Sequence, residues 1–296
     1  MGTIFITGNS GFVGKNLVSS MANEFLFVSH IKAGKVKIDQ YIVIHLAGKA
    51  HDLKNTSSSD EYYKVNTELT KEVFDAFIIS EANVFISLSS VKAVADQVEG
   101  ELTEEVTPNP ITHYGKSKLL AEQYILSQPI PDGKRVYILR PCMIHGPGNK
   151  GNLNLLYSLI SKGLPWPLGL FENARSYLSI ENLLFIIKEL IVREDIPSGV
   201  YNVADDIPLS TNEVINMIAE SKGNKAKILN MSQNLIKLLA RMGDFLKLPL
   251  DSERLQKLTE SYVVSNSKII KALGKPLPVS SKDGLMRTFK SFADNV

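Results

Sequence analysis

The chain has 296 residues, 44% hydrophobic and 22% charged, and its 33 Lys plus Arg nearly balance 31 Asp plus Glu, leaving a net charge of +2. This composition excludes a disordered chain, and at this length folding buries roughly 75% of the surface that the unfolded chain exposes. The near-neutral balance also removes the electrostatic case for a nucleic-acid or membrane-surface partner and points to a small ligand.

In chain order, residues 3–7 are a β-rich apolar run, followed by a glycine turn and a helical pattern over 12–22. Strand-like runs recur at 25–29, 42–47, 84–88 and 136–139, with helical patterns at 67–80 and 114–127. Alternating β and α segments of this kind predict an α/β fold, a doubly wound parallel sheet with helices on both faces, which the resemblance given below makes Rossmann-like. One connection, residues 30–41, is too short for a full crossover helix with its loops, and the topology there stays open. Beyond residue 148 the rhythm changes: helix at 152–162, strand at 176–180, helix at 182–193 and strand at 200–204. The remainder is mostly helical, opened by Ser210-Thr-Asn-Glu213, a capping box. Apolar residues in 231–248 approach helical spacing and are read as core or a partner contact rather than a membrane surface. The expected division is a dinucleotide-binding domain over 1–148, rejoined by part of 176–204, and a smaller, mostly helical substrate domain over 149–296. The ligand is expected in the cleft between them.

Cys142 is the only cysteine, which excludes an internal disulfide and a zinc site built from several thiolates. No apolar run approaches the roughly 18 residues of a membrane span, and the N-terminus lacks a leader pattern, so a cytoplasmic protein is expected. Histidines 30, 45, 51, 113 and 145 show no metal-ligand spacing, and no metal is expected. His45 reads as a satisfied core imidazole. His145 reads either as lining the cleft or as packing in a turn, and Trp166 as a loop anchor.

Three segments carry chemistry. Gly8, Gly11 and Gly14 sit between a strand and a helix, where close backbone approach and a helix N-terminus suit a dinucleotide pyrophosphate. Tyr114 and Lys118 stand four apart on a helix, so the ammonium is placed to favour ionisation of the phenol. Ser87, Ser89 and Ser90 close the fourth strand, at the sheet edge where ligands of such folds bind.

Together with Leu139-Arg-Pro141, His145-Gly-Pro-Gly148, Gly151-Asn152, the run from Arg175 to Ile180 and Tyr201-Asn-Val-Ala204, these segments resemble the extended short-chain dehydrogenase/reductases, the epimerase/dehydratase superfamily. The resemblance covers nearly the whole chain. It implies that Tyr114 is the general acid/base, that Lys118 lowers its pKa and binds the nicotinamide ribose, and that Ser90 hydrogen-bonds the reacting oxygen. It places NAD or NADP against Gly8, Asn9, Ser10, Gly11, Phe12, Val13, Gly14, Leu46, Ala47, Gly48 and Asn66, the last also readable as a plain N-cap. It places a nucleotide sugar against Ser89, Ser90, Tyr114, Asn152 and Arg175. Asp39 stands where relatives carry an acidic residue near the adenine amino group.

The chain departs from family patterns in ways that narrow the expectation. Val91 and Lys92 replace the Asp-Glu pair that dehydratases use for water elimination, which argues against dehydration. The second-strand end, which in NAD enzymes carries an acidic residue, is instead followed by Lys32, Lys35 and Lys37, and this favours NADP(H). Two reactions at C4 of a UDP-hexose remain, 4-keto reduction, slightly preferred, and 4-epimerisation. A non-catalytic NAD(P)-binding regulatory protein is the reading from another class, and retention of both Tyr114 and Lys118 argues against it. By resemblance, helices 67–80 and 114–127 are expected to pair two copies into a homodimer.

Overall fold

The computed structural model describes residues 2–29, 41–49, 58–149, 151–246 and 251–293. The strands are β1 (Gly2–Thr7), β2 (Phe25–Val28), β3 (Ile42–His45), β4 (Val84–Leu88), β5 (Glu101–Leu102), β6 (Arg135–Pro141), β7 (Met143–His145), β8 (Tyr177–Ser179), β9 (Gly199–Val203) and β10 (Val263–Val264). The helices are α1 (Phe12–Met21), α2 (Ser59–Tyr62), α3 (Leu69–Ile78), α4 (His113–Ser127), α5 (Asn152–Ser161), α6 (Ile180–Val192), α7 (Thr211–Ser221), α8 (Gln233–Leu246), α9 (Ser252–Thr259), α10 (Ser267–Leu273) and α11 (Ser281–Ala293).

Six strands form one parallel sheet in the order β2-β1-β3-β4-β6-β9. The chain therefore crosses β1 in passing from β2 to β3, and strand order reverses between β1 and β3. A reversal of this kind leaves a crevice beyond the strand ends, because the loops after the two strands leave in opposite directions. The α/β class and the parallel sheet agree with the sequence expectation. Residues 30–40, which make that connection, lie outside the described residues, as do Lys32, Lys35, Lys37 and Asp39.

Both faces of the sheet are covered. On one, Leu17 and Met21 of α1 pack with Leu183, Ile186 and Leu190 of α6 and Ile269 of α10. On the other, Phe74 and Phe77 of α3 and Ile125 of α4 meet Phe5, Val43 and Phe85. A separate core joins Leu153, Tyr157 and Ile160 of α5, Val214 and Ile218 of α7, and Phe289 and Phe292 of α11. The Ser210 capping box forms as expected, and Trp166 is a buried anchor whose Nε1 donates to Asn212 Oδ1 at 3.1 Å.

One expectation changes, and two readings left open are narrowed. The helix anticipated from residue 67 begins at Ser59 and continues through a π-helical turn, Tyr63–Glu68, into α3. Asn66 therefore lies mid-helix and fully buried, and it is not an N-cap. His145 is buried away from the cleft, its Nδ1 2.9 Å from Thr288 Oγ1 of α11 and its Nε2 3.6 Å from Asp205. The apolar residues of α8 are mostly not core: only Ile236, Ala240 and Gly243 are buried. Among the described residues no helix is long and apolar enough to cross a membrane.

His45 stitches β1 to the helix behind it. Thr70 Oγ1 donates to Asn66 O at 2.7 Å, so it accepts from His45 Nε2 at 2.9 Å, and Nδ1 then accepts from Thr7 Oγ1 at 2.8 Å. Thr7 Oγ1 in turn accepts the Ala47 amide at 3.1 Å. This chain needs a neutral imidazole, and burial, helped by the Lys118 charge, lowers the His45 pKa to about 3. An unfolded histidine takes up its proton below about pH 6.5, so between there and about 3 the unfolded chain binds more protons and stability falls as pH drops. Denaturant unfolding of wild type and His45→Asn should show that, between about pH 6.5 and about pH 5, wild type loses about 2 kcal/mol more than the variant. An equal loss in both would remove His45 as the titrating group.

Candidate active site

The carboxyl ends of β1, β3, β4 and β6 open onto a cleft of about 390 Å³ that contains the glycine turn, Leu46, Gly48, Ser89, Ser90, Tyr114 and Lys118. The backbone approaches itself closely where the turn enters the cleft. Gly8 has φ +74°, and a Cβ there would lie 2.6 Å from Ala47 N; a Cβ on Gly14 would lie 2.3 Å from Gly8 O. Only glycine lets β1, the loop after β3 and the first turn of α1 meet so closely. Helix α1 then starts with no side-chain cap and no acidic residue in its first turn, which leaves its N-terminal dipole and amides available to an anion. Phe12 and Val13 line the cleft, whereas Asn9 and Ser10 are exposed in the turn, with Asn9 Nδ2 donating to Ser29 Oγ at 3.1 Å.

The buried Asn66 holds the β3 loop in place. Its Oδ1 accepts from Lys49 N at 2.7 Å, and its Nδ2 donates to Lys49 O at 3.1 Å and to Ser117 Oγ at 3.0 Å. The loop after β3 is thereby tied to α4, and Gly48 lies so close to Lys118 that a Cβ would sit 2.9 Å from its Nζ.

Helix α4 presents Tyr114 and Lys118. Thr112 caps it, Oγ1 accepting from Gly115 N at 3.2 Å, and Asp96 anchors the cap by accepting from the Ile111 and Thr112 amides at 2.6 and 3.1 Å. Gly115 faces the short 3-10 turn after Ser90: a Cβ would lie 2.3 Å from Lys92 O. That contact brings Tyr114 beside Ser90. Burial pushes the Tyr114 phenol above its ordinary value, while its hydrogen bond with Ser90 acts the other way. Lys118 is buried, donates to Leu88 O at 2.9 Å, and has its pKa lowered to about 8 by burial against the opposing pull of Glu122.

This corrects one expectation about chemistry. The Lys118 ammonium donates to the Leu88 carbonyl, and burial raises the Tyr114 phenol, so the phenol is held neutral rather than prepared for ionisation. Ser89 also differs from expectation, because its hydroxyl donates to Glu122 inside the fold instead of standing free for substrate. Glu122 is the centre of a buried cluster: Arg140 Nε lies 3.1 and 3.0 Å from its two oxygens and Nη2 lies 2.5 Å from Oε2.

Asn152 and Arg175 do not line the cleft. Asn152 is exposed as the first residue of α5, and Arg175 is engaged by Lys257 O and by Glu260 Oε1 at 3.4 Å. Sequence reasoning missed Asp96, Thr112, Gly115, Glu122 and Arg140. Glu122 carried one available signal: it lies four residues beyond Lys118, on the same face of an otherwise apolar stripe with Ala121 and Ile125. Among the described residues no cluster of three His, Cys, Asp or Glu side chains could hold a metal.

Residues 31–204 match the NAD dependent epimerase/dehydratase family. The chain is 29% identical to a UDP-glucose 4-epimerase of Vibrio cholerae, over 98% of this chain and 95% of that protein. It is 26% identical to the N-acetyl-alpha-D-glucosaminyl-diphospho-ditrans,octacis-undecaprenol 4-epimerase of Escherichia coli O157:H7, over 97% and 94%. Its fold superposes on the structure of RMD from Pseudomonas aeruginosa complexed with NADPH with a TM-score of 0.74 at 21% identity, covering 100% of both chains.

The Arg140–Glu122 pair yields a stability test. Arg140→Met strands a buried carboxylate and should cost about 3–5 kcal/mol in denaturant unfolding, whereas Arg140→Met with Glu122→Leu should recover most of that loss. A single variant as stable as wild type would show that the pair does not hold α4 to β6.

Proposed function

The chain belongs to the NAD dependent epimerase/dehydratase family, and from that premise we propose that it is a nicotinamide-dependent enzyme acting at C4 of a diphosphate-linked hexose, such as a UDP-hexose. One observation carries this reading: Ser90, Tyr114 and Lys118 stand in the same cleft as the uncapped glycine turn. The turn and the N-terminus of α1 would hold the pyrophosphate, and Leu46, Gly48 and Lys118 would border the nicotinamide ribose. A nicotinamide bound there supplies the hydride acceptor and donor.

The chain's own residues then have defined tasks. Ser90 orients the C4 oxygen by hydrogen bonding. Tyr114 takes the hydroxyl proton as the carbonyl forms and returns it when the carbonyl is reduced. Because burial opposes ionisation of this phenol, Lys118 must turn its ammonium from Leu88 O toward Tyr114 and the bound ribose. Its positive charge is present below about pH 8 and lost above, so turnover should decline on the alkaline side of that value. Asn152 and Arg175, expected from the resemblance to contact the diphosphate, stand outside this cleft and have no part in this reading.

The 4-epimerase is the favoured reaction, since two curated relatives that match over nearly the full chain are 4-epimerases. A 4-keto reductase using NADP(H) is the second reading, favoured by the sequence alone, in which Lys32, Lys35 and Lys37 follow the second strand in place of an acidic residue. We also carry forward a homodimer through α3 and α4, the latter exposing Leu120 and Leu126; a monomer mass by light scattering would remove it.

Two measurements test the function. Tyr114→Phe should lower turnover by about 10²- to 10⁴-fold while leaving cofactor affinity unchanged, and full turnover in that variant would overturn the acid/base role. Mass spectrometry of dinucleotide released from denatured protein separates the reactions: retained NAD is expected for the epimerase, which must keep its hydride, and a site that readily exchanges NADPH would establish the reductase instead.

A further inference from the structure

Helix α8 turns most of its apolar surface outward. Leu235, Leu238, Leu239, Met242, Phe245 and Leu246 are between 40% and 88% exposed, and at helical periodicity they share an arc of about 120°. The stripe that packs inward, Ile236, Ala240 and Gly243, lies beside this arc and is much the smaller of the two. Leu170 and Leu229 extend the exposed apolar surface to the start of the helix, where Gln233 Nε2 donates to Leu170 O at 2.7 Å.

The charge around this face is segregated. Residues 222–246 contain five cations, Lys222, Lys225, Lys227, Lys237 and Arg241, and one anion, Asp244, giving +4 in a chain whose net charge is +2. The rest of the protein is therefore net −2. Asp244 is occupied by Ser252, accepting from its amide at 2.8 Å and its hydroxyl at 2.7 Å. Lys222, Lys225 and Lys227, together with Lys162, line a cavity of about 310 Å³ that contains no carboxylate. The segment bearing them is fixed to the loop around Trp166, whose amide donates to Lys227 O at 2.8 Å and whose carbonyl accepts from Leu229 N at 2.8 Å. On α8 itself, Lys237 and Arg241 border the apolar arc one turn apart.

We propose that α8 and the lysine-bearing segment before it form a docking surface for an anionic phospholipid bilayer. The six apolar side chains enter the boundary between headgroups and acyl chains, and the lysines and Arg241 lie among the headgroup phosphates. Amphipathic helices with a basic margin bind membranes in this manner, lying in the interface without crossing it. A second copy of the chain fits the surface less well, because a two-fold contact would set one +4 segment against another, and the one carboxylate of that segment, Asp244, is already occupied by Ser252. The proposal concerns a face away from the catalytic cleft and stands whichever C4 reaction the cleft performs.

The test is cosedimentation of the full chain with phosphatidylcholine vesicles and with vesicles of phosphatidylcholine mixed with phosphatidylglycerol. The protein should pellet with the mixed vesicles alone and be released as salt is raised. Leu238→Glu with Phe245→Glu, and separately Lys225→Glu with Lys227→Glu, should each lower the bound fraction at least about tenfold at unchanged circular dichroism and melting temperature. Should the first pair unfold the chain, Phe245→Ser at its 88% exposed position provides the same readout. Wild-type protein left in the supernatant with both vesicle types overturns the proposal, as does binding indifferent to both pairs of substitutions. If the Leu238 and Phe245 substitutions instead halve the mass seen by light scattering, with no vesicle binding by wild type, the face is a contact between copies and the proposal fails.

Discussion

The geometry of the site depends on how α4 is held against the sheet, and a buried ion pair ties it to β6. Arg140 projects from β6 and Glu122 from α4, and the two meet with almost no water present. Desolvating both charges is costly and is offset only where every lone pair and proton finds a partner. Here Ser89, at the end of β4, donates to the same carboxylate and completes its shell. One carboxylate thus joins two adjacent strands to the helix that carries Tyr114 and Lys118. The cost of two buried charges is consistent with selecting a single register of α4 on the sheet, since any slip along the helix axis leaves Glu122 or Arg140 without its partner.

At its N-terminus, α4 is located by sterics rather than charge. Gly115 allows the helix to touch the turn that follows Ser90, and Asp96 holds the cap residue from below. Between this contact and the ion pair, two turns of helix are fixed at both ends; Lys118 lies within them and Tyr114 immediately before. Their present electrostatics are those of a closed, neutral phenol and a lysine pointed at a carbonyl. The contrast with the expected Lys-to-Tyr influence is instructive: spacing places two side chains on one face, but the nearest strong acceptor decides where a long, flexible ammonium goes.

The sheet, the glycine turn and the Tyr114–Lys118 pair were legible because each depends on local pattern: alternating burial, a steric need for glycine, or the helical repeat. What was not legible depends on contacts distant in sequence. The start of the helix before α3 lies eight residues earlier than periodicity suggested, because the π-helical turn shifts the face that meets the sheet and dilutes the 3.6-residue signal. Asn66 looked like a cap for the same reason, yet it bridges the β3 loop and α4 across 17 and 51 residues of chain. Ser89 and Ser90 were indistinguishable as letters; both border the cleft, but the Ser89 hydroxyl is taken by Glu122, a partner 33 residues away in the chain.

The same limit applies to charge. A whole-chain balance near zero excludes a strongly basic protein but averages over the surface, and it hid a segment at +4 set against a remainder at −2. Helical spacing likewise identified the apolar residues of α8 but not which side of the helix the fold would cover. Periodicity reports how wide an apolar stripe is, whereas core geometry decides how much of it can be buried, and three small or slim contacts, Ile236, Ala240 and Gly243, use only part of it. An apolar arc left over on a basic segment is a property of the folded surface, so it appears only when sequence pattern and burial are read together.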